Sequence, residues 1–186
     1  MNASNRPRAL TASGFDPSSG RWIATDRTQV TVVERLTLVT YNVWFGEHRW
    51  RERLEHLLRL VERCEPHIAA LQEVTPRQLE HILAADWIRR GFLVSDISGS
   101  TLRPHGVLLL SRLPIRDVVL YRLPSRKDRK LLIASVDTGQ GSVRLGNLHL
   151  ESSPNNQLLR LAQLNDVVAI YLIAVGLLGL LGLLSL

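Results

Sequence analysis

Apolar residues in this chain follow two alternating periods. Residues 30–43 hold two apolar runs broken by Glu34-Arg35. In the second, residues 36–43, Leu36 and Leu38 flank Thr37, and Val39, Tyr41 and Val43 follow at alternate positions. That period of two predicts a core strand, closed by Gly46. Residues 49–64 change period. Leu54, Leu57, Leu58 and Val61 sit at i, i+3, i+4 and i+7, while Arg51, Glu52, Glu55, Arg59, Glu62 and Arg63 fill the other face. This predicts an amphipathic helix, stopped by Pro66. Residues 67–74 are nearly continuously apolar, as expected of a strand covered on both sides. Thr75-Pro76 then supplies an N-cap and a proline at the first helical position. It opens a helix to about residue 85, with Leu79, Ile82 and Leu83 inward.

Strand, helix, strand, helix in that order predicts a layered α/β fold. The chain then becomes β-rich, with expected strands at 106–111, 118–123, 130–137 and 142–150. The last two flank Thr138-Gly139-Gln140-Gly141, a hairpin signal. A helix is expected over 157–166. Residues 1–27 read as a flexible leader, polar and punctuated by Pro7 and Pro17, without the apolar core of a secretory signal. Residues 167–186 differ in kind, being uncharged and Leu-rich. As a helix they would span about 30 Å, so they are a candidate transmembrane segment. The expected location is a membrane anchor with a cytoplasmic N-terminal domain, or the cytoplasm if this tail is a frameshift product.

Composition adds less. Among 186 residues the net charge is +6, and the only lysines are Lys127 and Lys130. An arginine excess is compatible with a polyanionic partner, and equally with genomic base composition. The densest basic cluster is Arg122, Arg126, Lys127, Arg129 and Lys130, which reads either as a phosphate contact or as a solvated loop. Cys64 is the sole cysteine, so no intrachain disulfide forms. It falls on the apolar side of its helix and is expected in the core.

Three polar residues stand where predicted strands end. Glu73 closes the 67–74 run. A carboxylate there suits Mg2+ that keeps waters and a substrate phosphate; the alternative is a solvated Glu opening a loop. Asn42 offers a neutral donor and acceptor at the end of its strand, or simply satisfies backbone groups there. His149 shares a strand face with Asn147, marking a site edge or a structural histidine. His48, His56, His67, His81 and His105 show no metal-binding spacing, so no zinc site is expected.

Taken together, the motifs resemble the endonuclease/exonuclease/phosphatase superfamily. Thr40-Tyr41-Asn42 is followed by Leu71-Gln72-Glu73, and 106–115, Gly-Val-Leu-Leu-Leu-Ser-Arg-Leu-Pro-Ile, matches the family's central strand segment. His149-Leu150-Glu151-Ser152, with Arg160 and Gln163-Leu164 downstream, most resembles the branch related to 5′-tyrosyl-DNA phosphodiesterases. The resemblance implies a four-layer α/β sandwich and Mg2+-dependent hydrolysis of phosphoesters, with Mn2+ as a substitute ion. It implies Glu73 as metal ligand, Asn42 orienting phosphate and attacking water, and His149 stabilising charge on phosphoryl oxygens. The implied partners are phosphoester substrates, DNA ends and protein–DNA adducts among them; no specific protein partner is implied.

The family also uses a later Gly-Asp-x-Asn motif and a C-terminal Asp-His pair. No Gly-Asp dipeptide occurs here, and after His149 the only Asp is Asp166, with no further His. The expectation is therefore an incomplete sandwich: the N-terminal part of the family domain over residues 28–165, with impaired hydrolysis, followed by an apolar helix. The alternative is a non-enzymatic, membrane-anchored remnant or binding module.

Overall fold

The computed structural model describes residues 7–25 and 32–183, with side chains described up to Tyr171. Among the described residues ten strands form two sheets. The strands are β1 (Arg8–Leu10), β2 (Ser13–Asp16), β3 (Arg21–Ala24), β4 (Leu38–Asn42), β5 (Ile68–Val74), β6 (Leu93–Val94), β7 (Gly106–Ser111), β8 (Ile115–Arg122), β9 (Lys130–Asp137) and β10 (Ser142–Leu148). The helices are α1 (Trp50–Arg63), α2 (Pro76–Ala84), α3 (Asp86–Gly91) and α4 (Gln157–Leu183). One sheet runs β1-β8-β9-β10, the other β3-β2-β6-β7-β5-β4. β4 and β5 pair in parallel, bridged by α1, and the other pairings among the described residues are antiparallel.

Period-two alternation builds the layers. On β5 and β7, Ala69, Leu71, Leu108 and Leu110 turn outward to Leu54, Leu57, Leu58 and Val61 of α1, Leu79 and Ile82 of α2 and Ile88 of α3. Their neighbours Ile68, Val107 and Leu109 turn inward, against Val118, Leu120, Leu132, Ala134 and Val136 of the other sheet. On β9, Leu131 and Ile133 face out again and meet Val167, Ile170 and Tyr171 of α4. The result is helix, sheet, sheet, helix, the expected α/β sandwich. α2 starts with a full capping box: Gln78 N donates to Thr75 Oγ1 at 3.2 Å, and Thr75 N donates to Gln78 Oε1 at 2.9 Å. Gly146 on β10 lets the Tyr171 hydroxyl of α4 approach the strand, and a Cβ there would push that side chain aside.

Four expectations change. Residues 8–24 are not a flexible leader: β1 pairs with β8, and β2 and β3 extend the six-stranded sheet through β6. Their low apolar content hid them, since β1 and β3 are sheet edges that need little burial and β2 has only four residues. The strand at 36–43 is not a core strand. β4 is the edge of its sheet, with Leu38 and Tyr41 53% and 51% exposed. Cys64 is exposed, because it caps α1 beyond the buried stripe. Finally, the helix expected to end near 166 continues as α4, and Val167, Ile170 and Tyr171 lie on the protein's own sheet. The rest of the expected spanning segment, from residue 172, lies outside the described side chains. Among the described residues no helix is long and apolar enough to cross a membrane. The two sheets part between the edge strands β4 and β10, leaving a groove of about 340 Å3 lined mainly by Leu38, Val39, Ile68, Leu109 and Leu145.

Candidate active site

Glu73 and His149 come together at one end of the sandwich. Glu73 Oε1 lies 3.3 Å from His149 Nδ1 and 3.9 Å from Arg129 Nη1. The carboxylate reaches this position through the backbone. The pairing of β5 with β7 shifts register between Gln72 and Val74, and Glu73 takes φ 60. A bulge of this kind kinks the strand and re-aims one side chain. Left-handed backbone at a non-glycine residue costs of order 1–3 kcal/mol and is held only by surrounding structure. Here it turns a strand carboxylate into a cleft while Val74 stays fully buried.

Around Glu73 the cleft is lined by His105, Gly106, Asp128, Arg129, Lys130 and His149. Glu73, Arg129 and Lys130 are buried, at 7%, 4% and 7% exposure. The free space between them is only about 10 Å3, room for one water. A group as large as a phosphate does not fit inside this cleft. Gly106 matters here, since a Cβ would stand 2.7 Å from the Thr101 carbonyl oxygen. His105 stacks on Phe45, with ring centroids 4.5 Å apart and planes within 3°.

The cleft's electrostatics favour neutral imidazoles. Burial pushes His149 below its ordinary value of 6.5, the Arg129 guanidinium pushes it further, and the Glu73 carboxylate pulls it back. His105 is lowered first by burial too, against the pull of Glu73. Nδ1 of His149 cannot both accept from Arg129 and donate to Glu73. The contact from Arg129 Nη1 is the shorter, 2.9 Å. Together with the lowered pKa it selects a neutral ring that accepts at Nδ1 and carries its proton on Nε2.

Arg129 is held by a scaffold of its own. Glu151, 1% exposed, accepts from Ser125 Oγ at 2.8 Å and from Arg126 N at 3.2 Å. Ser125 Oγ in turn accepts from Arg129 N at 3.0 Å. Burial alone would raise the Glu151 carboxyl; the bonds from Ser125 and Arg126, with the charges of Arg129 and Lys127, bring it below the usual carboxylate range. Glu151 N donates to Gln163 Oε1 at 2.9 Å, tying the loop to α4.

Asn42 is placed elsewhere. It ends β4 opposite Gln72, one strand from Glu73, and is exposed. Its Oδ1 accepts from Trp44 N at 2.9 Å, a local turn. Asn147 points between the sheets, accepting from Gln72 Nε2 at 2.8 Å and donating to the carbonyls of Leu71 and Leu108.

Residues 39–174 match the Endonuclease/Exonuclease/phosphatase family. The chain belongs to that family. Its fold is similar to that of TDP2 from Caenorhabditis elegans, with TM-score 0.66 and 20% identity over 76% of this chain and 43% of that one. It is similar to a humanized D. rerio TDP2 carrying 14 mutations, with TM-score 0.62 and 21% identity over 72% and 58%. It is also similar to D. rerio TDP2 complexed with a single-strand DNA product, with TM-score 0.63 and 23% identity over 72% and 53%. The chain thus spans about half the length of these solved relatives. No curated protein sequence matches it.

Two residues of this family member's cleft escape sequence reasoning. Arg129 lies in a basic run that reads either as a phosphate contact or as a solvated loop, with nothing to single it out, and it is buried beside Glu73. His105 has no spacing signal because it arrives from the loop before β7. Its one sequence cue is its place directly ahead of the 106–115 segment. Among the described residues no group of three His, Cys, Asp or Glu side chains is arranged to hold a metal ion.

Proposed function

We propose that the cleft around Glu73 is the phosphate-handling part of a metal-dependent phosphodiesterase site acting on phosphoesters, DNA ends among them. The observation that carries this reading is the bulge that turns Glu73 toward His149 and Arg129. Family membership supports hydrolysis, and the D. rerio TDP2 complex with single-strand DNA product supports DNA ends as substrates.

Glu73 suits Mg2+ only in a minimal way. Mg2+ takes one or two carboxylates and completes its shell with waters and substrate phosphate. One buried carboxylate meets that need, but Arg129 competes for it. The metal, when bound, would neutralise charge on a phosphoryl oxygen. The protein's own groups do the rest. Glu73 would hold the cation, Arg129 would give a guanidinium already desolvated beside the phosphate position, and His149 would present Nε2–H as a neutral donor. Asn42, at the end of the adjacent strand, enters this reading only if its local turn to Trp44 opens.

Among the described residues Glu73 is the one buried carboxylate in the cleft. We therefore read this chain as binding phosphoesters with slight turnover, since loss of one member of a cooperative catalytic set removes most of the rate. That single carboxylate also favours the second reading, a binding module without catalysis. Assay the chain with an aryl phosphodiester and with a 5′-phosphotyrosyl oligonucleotide, in Mg2+ and Mn2+. Low, metal-dependent turnover abolished by Glu73→Gln and His149→Ala supports the enzyme reading. Phosphoester binding with no turnover supports the binding module, and absence of both refutes the site.

A further inference from the structure

Beside the Glu73 cleft lies a second, larger space. It is a cavity of about 270 Å3 whose walls include Arg8, Thr101, Arg103, Arg122, Asp128 and Lys130. Four cations and one carboxylate face it. The fold assembles them from three separate segments. Arg8 stands on β1 opposite Leu120 of β8, and Arg122 at the end of β8 opposite Lys130 of β9. Thr101 and Arg103 come from the loop before β7.

The wall is fixed in place. Lys130 Nζ donates to the Thr101 carbonyl at 3.0 Å and lies 2.7 Å from Asp128 Oδ2. Arg8 Nη2 donates to Ser100 Oγ at 3.1 Å. The Thr101 loop is itself rigidified by Asp96, which accepts from Ser98 N, Gly99 N and Thr101 N at 2.8, 3.0 and 2.8 Å. Asp128 neutralises Lys130. Arg8, Arg103 and Arg122 are exposed and carry the remaining positive charge toward the cavity.

Asp128 and Lys130 line both the cavity and the Glu73 cleft, so the two spaces share a wall. We infer that the cavity is a second phosphate subsite, taking a neighbouring phosphate of the same single-stranded nucleic acid whose reacting phosphate lies at Glu73. Guanidinium forks match phosphate oxygens, and three of them around one space favour an anion with several acceptors. A mononucleotide reaches one space and an oligonucleotide reaches both. This inference rests on reading the Glu73 cleft as a phosphoester site.

The test compares ligands with one and with several phosphates. Titrate the full chain with a 5′-phosphorylated mononucleotide and with a 5′-phosphorylated trinucleotide, across a salt series. Use Arg8→Ala, Arg103→Ala and Arg122→Ala, all exposed and safe for folding. Each should weaken the trinucleotide about fivefold and lower its salt slope by about 0.7, leaving the mononucleotide unchanged. Asp128→Asn should tighten the trinucleotide about two- to fivefold. Trinucleotide affinity and slope unchanged in all three arginine variants would overturn the subsite. If the mononucleotide fails to bind while the trinucleotide keeps its arginine dependence, the subsite stands and the Glu73 reading falls.

Discussion

Glu73 of β5 and His149, just after β10, meet with Oε1 3.3 Å from Nδ1, and the Arg129 guanidinium bonded to Nδ1 keeps a ring proton from lying between them. With the guanidinium bonded to Nδ1, the ring stays neutral and the carboxylate has no imidazolium partner.

Arg129→Met should therefore raise the His149 pKa, because a charge that opposes protonation is gone while Glu73, which favours it, remains. It should also lower stability by about 3–5 kcal/mol, the range for breaking a buried ion pair. Titration of the His149 ring by NMR checks the first effect, and chemical denaturation the second. A ring pKa that stays put or falls would mean that the Arg129 contact does not control the site.

Acid should destabilise the fold in a window set by two histidines. His105 and His149 titrate near 6.5 in the unfolded chain and lower in the folded one. Above 6.5 both states are neutral and stability is full. As pH falls below 6.5 the unfolded chain takes up protons that the folded cleft resists, so stability declines until the lowered folded values are passed. Lowered carboxyls at Asp96 and Glu151 add a second loss at more acid pH. Thermal melts from pH 7.5 to 5 should show the first decline, and a His105→Gln, His149→Gln double variant should flatten it. An unchanged slope in the double variant would assign the loss to other groups.

Much of this arrangement was legible in the sequence. The strands at 106–111 and 130–137 and the Thr75 cap stand where their spacing predicts, since each is buried on both faces or closed by a local rule. The short strands β1–β3 were not legible, because three or four residues carry no usable period. The strand-end position of Glu73 was legible, whereas His149, expected inside the 142–150 strand, lies just past the end of β10 at Leu148. Arg129 and His105 were not legible. Their burial is a product of tertiary packing, and a basic run in a loop reads identically whether it is solvated or turned inward.

Two open edges on the same side of the sandwich should make the chain self-associate. Leu38 and Tyr41 on β4 are about half exposed, and an apolar groove separates β4 from β10. Unpaired edges with apolar side chains invite strand addition. Leu38→Lys with Tyr41→Lys should reduce association markedly without lowering the melting temperature by more than a few degrees. Sedimentation velocity on both proteins checks this; a monodisperse monomer for the unmodified chain would contradict it.

The central claim is that Glu73 brings a divalent cation and a phosphate to one place. The direct measurement is calorimetric titration of Mg2+ into the chain, alone and saturated with a 5′-phosphorylated oligonucleotide, repeated with Glu73→Gln. Mg2+ alone should bind weakly, because one carboxylate contested by Arg129 makes a poor site. Phosphate should tighten it at least tenfold, and Glu73→Gln should abolish that gain. Equal Mg2+ affinity in the two proteins with phosphate present would show that the bulge at Glu73 serves some other end.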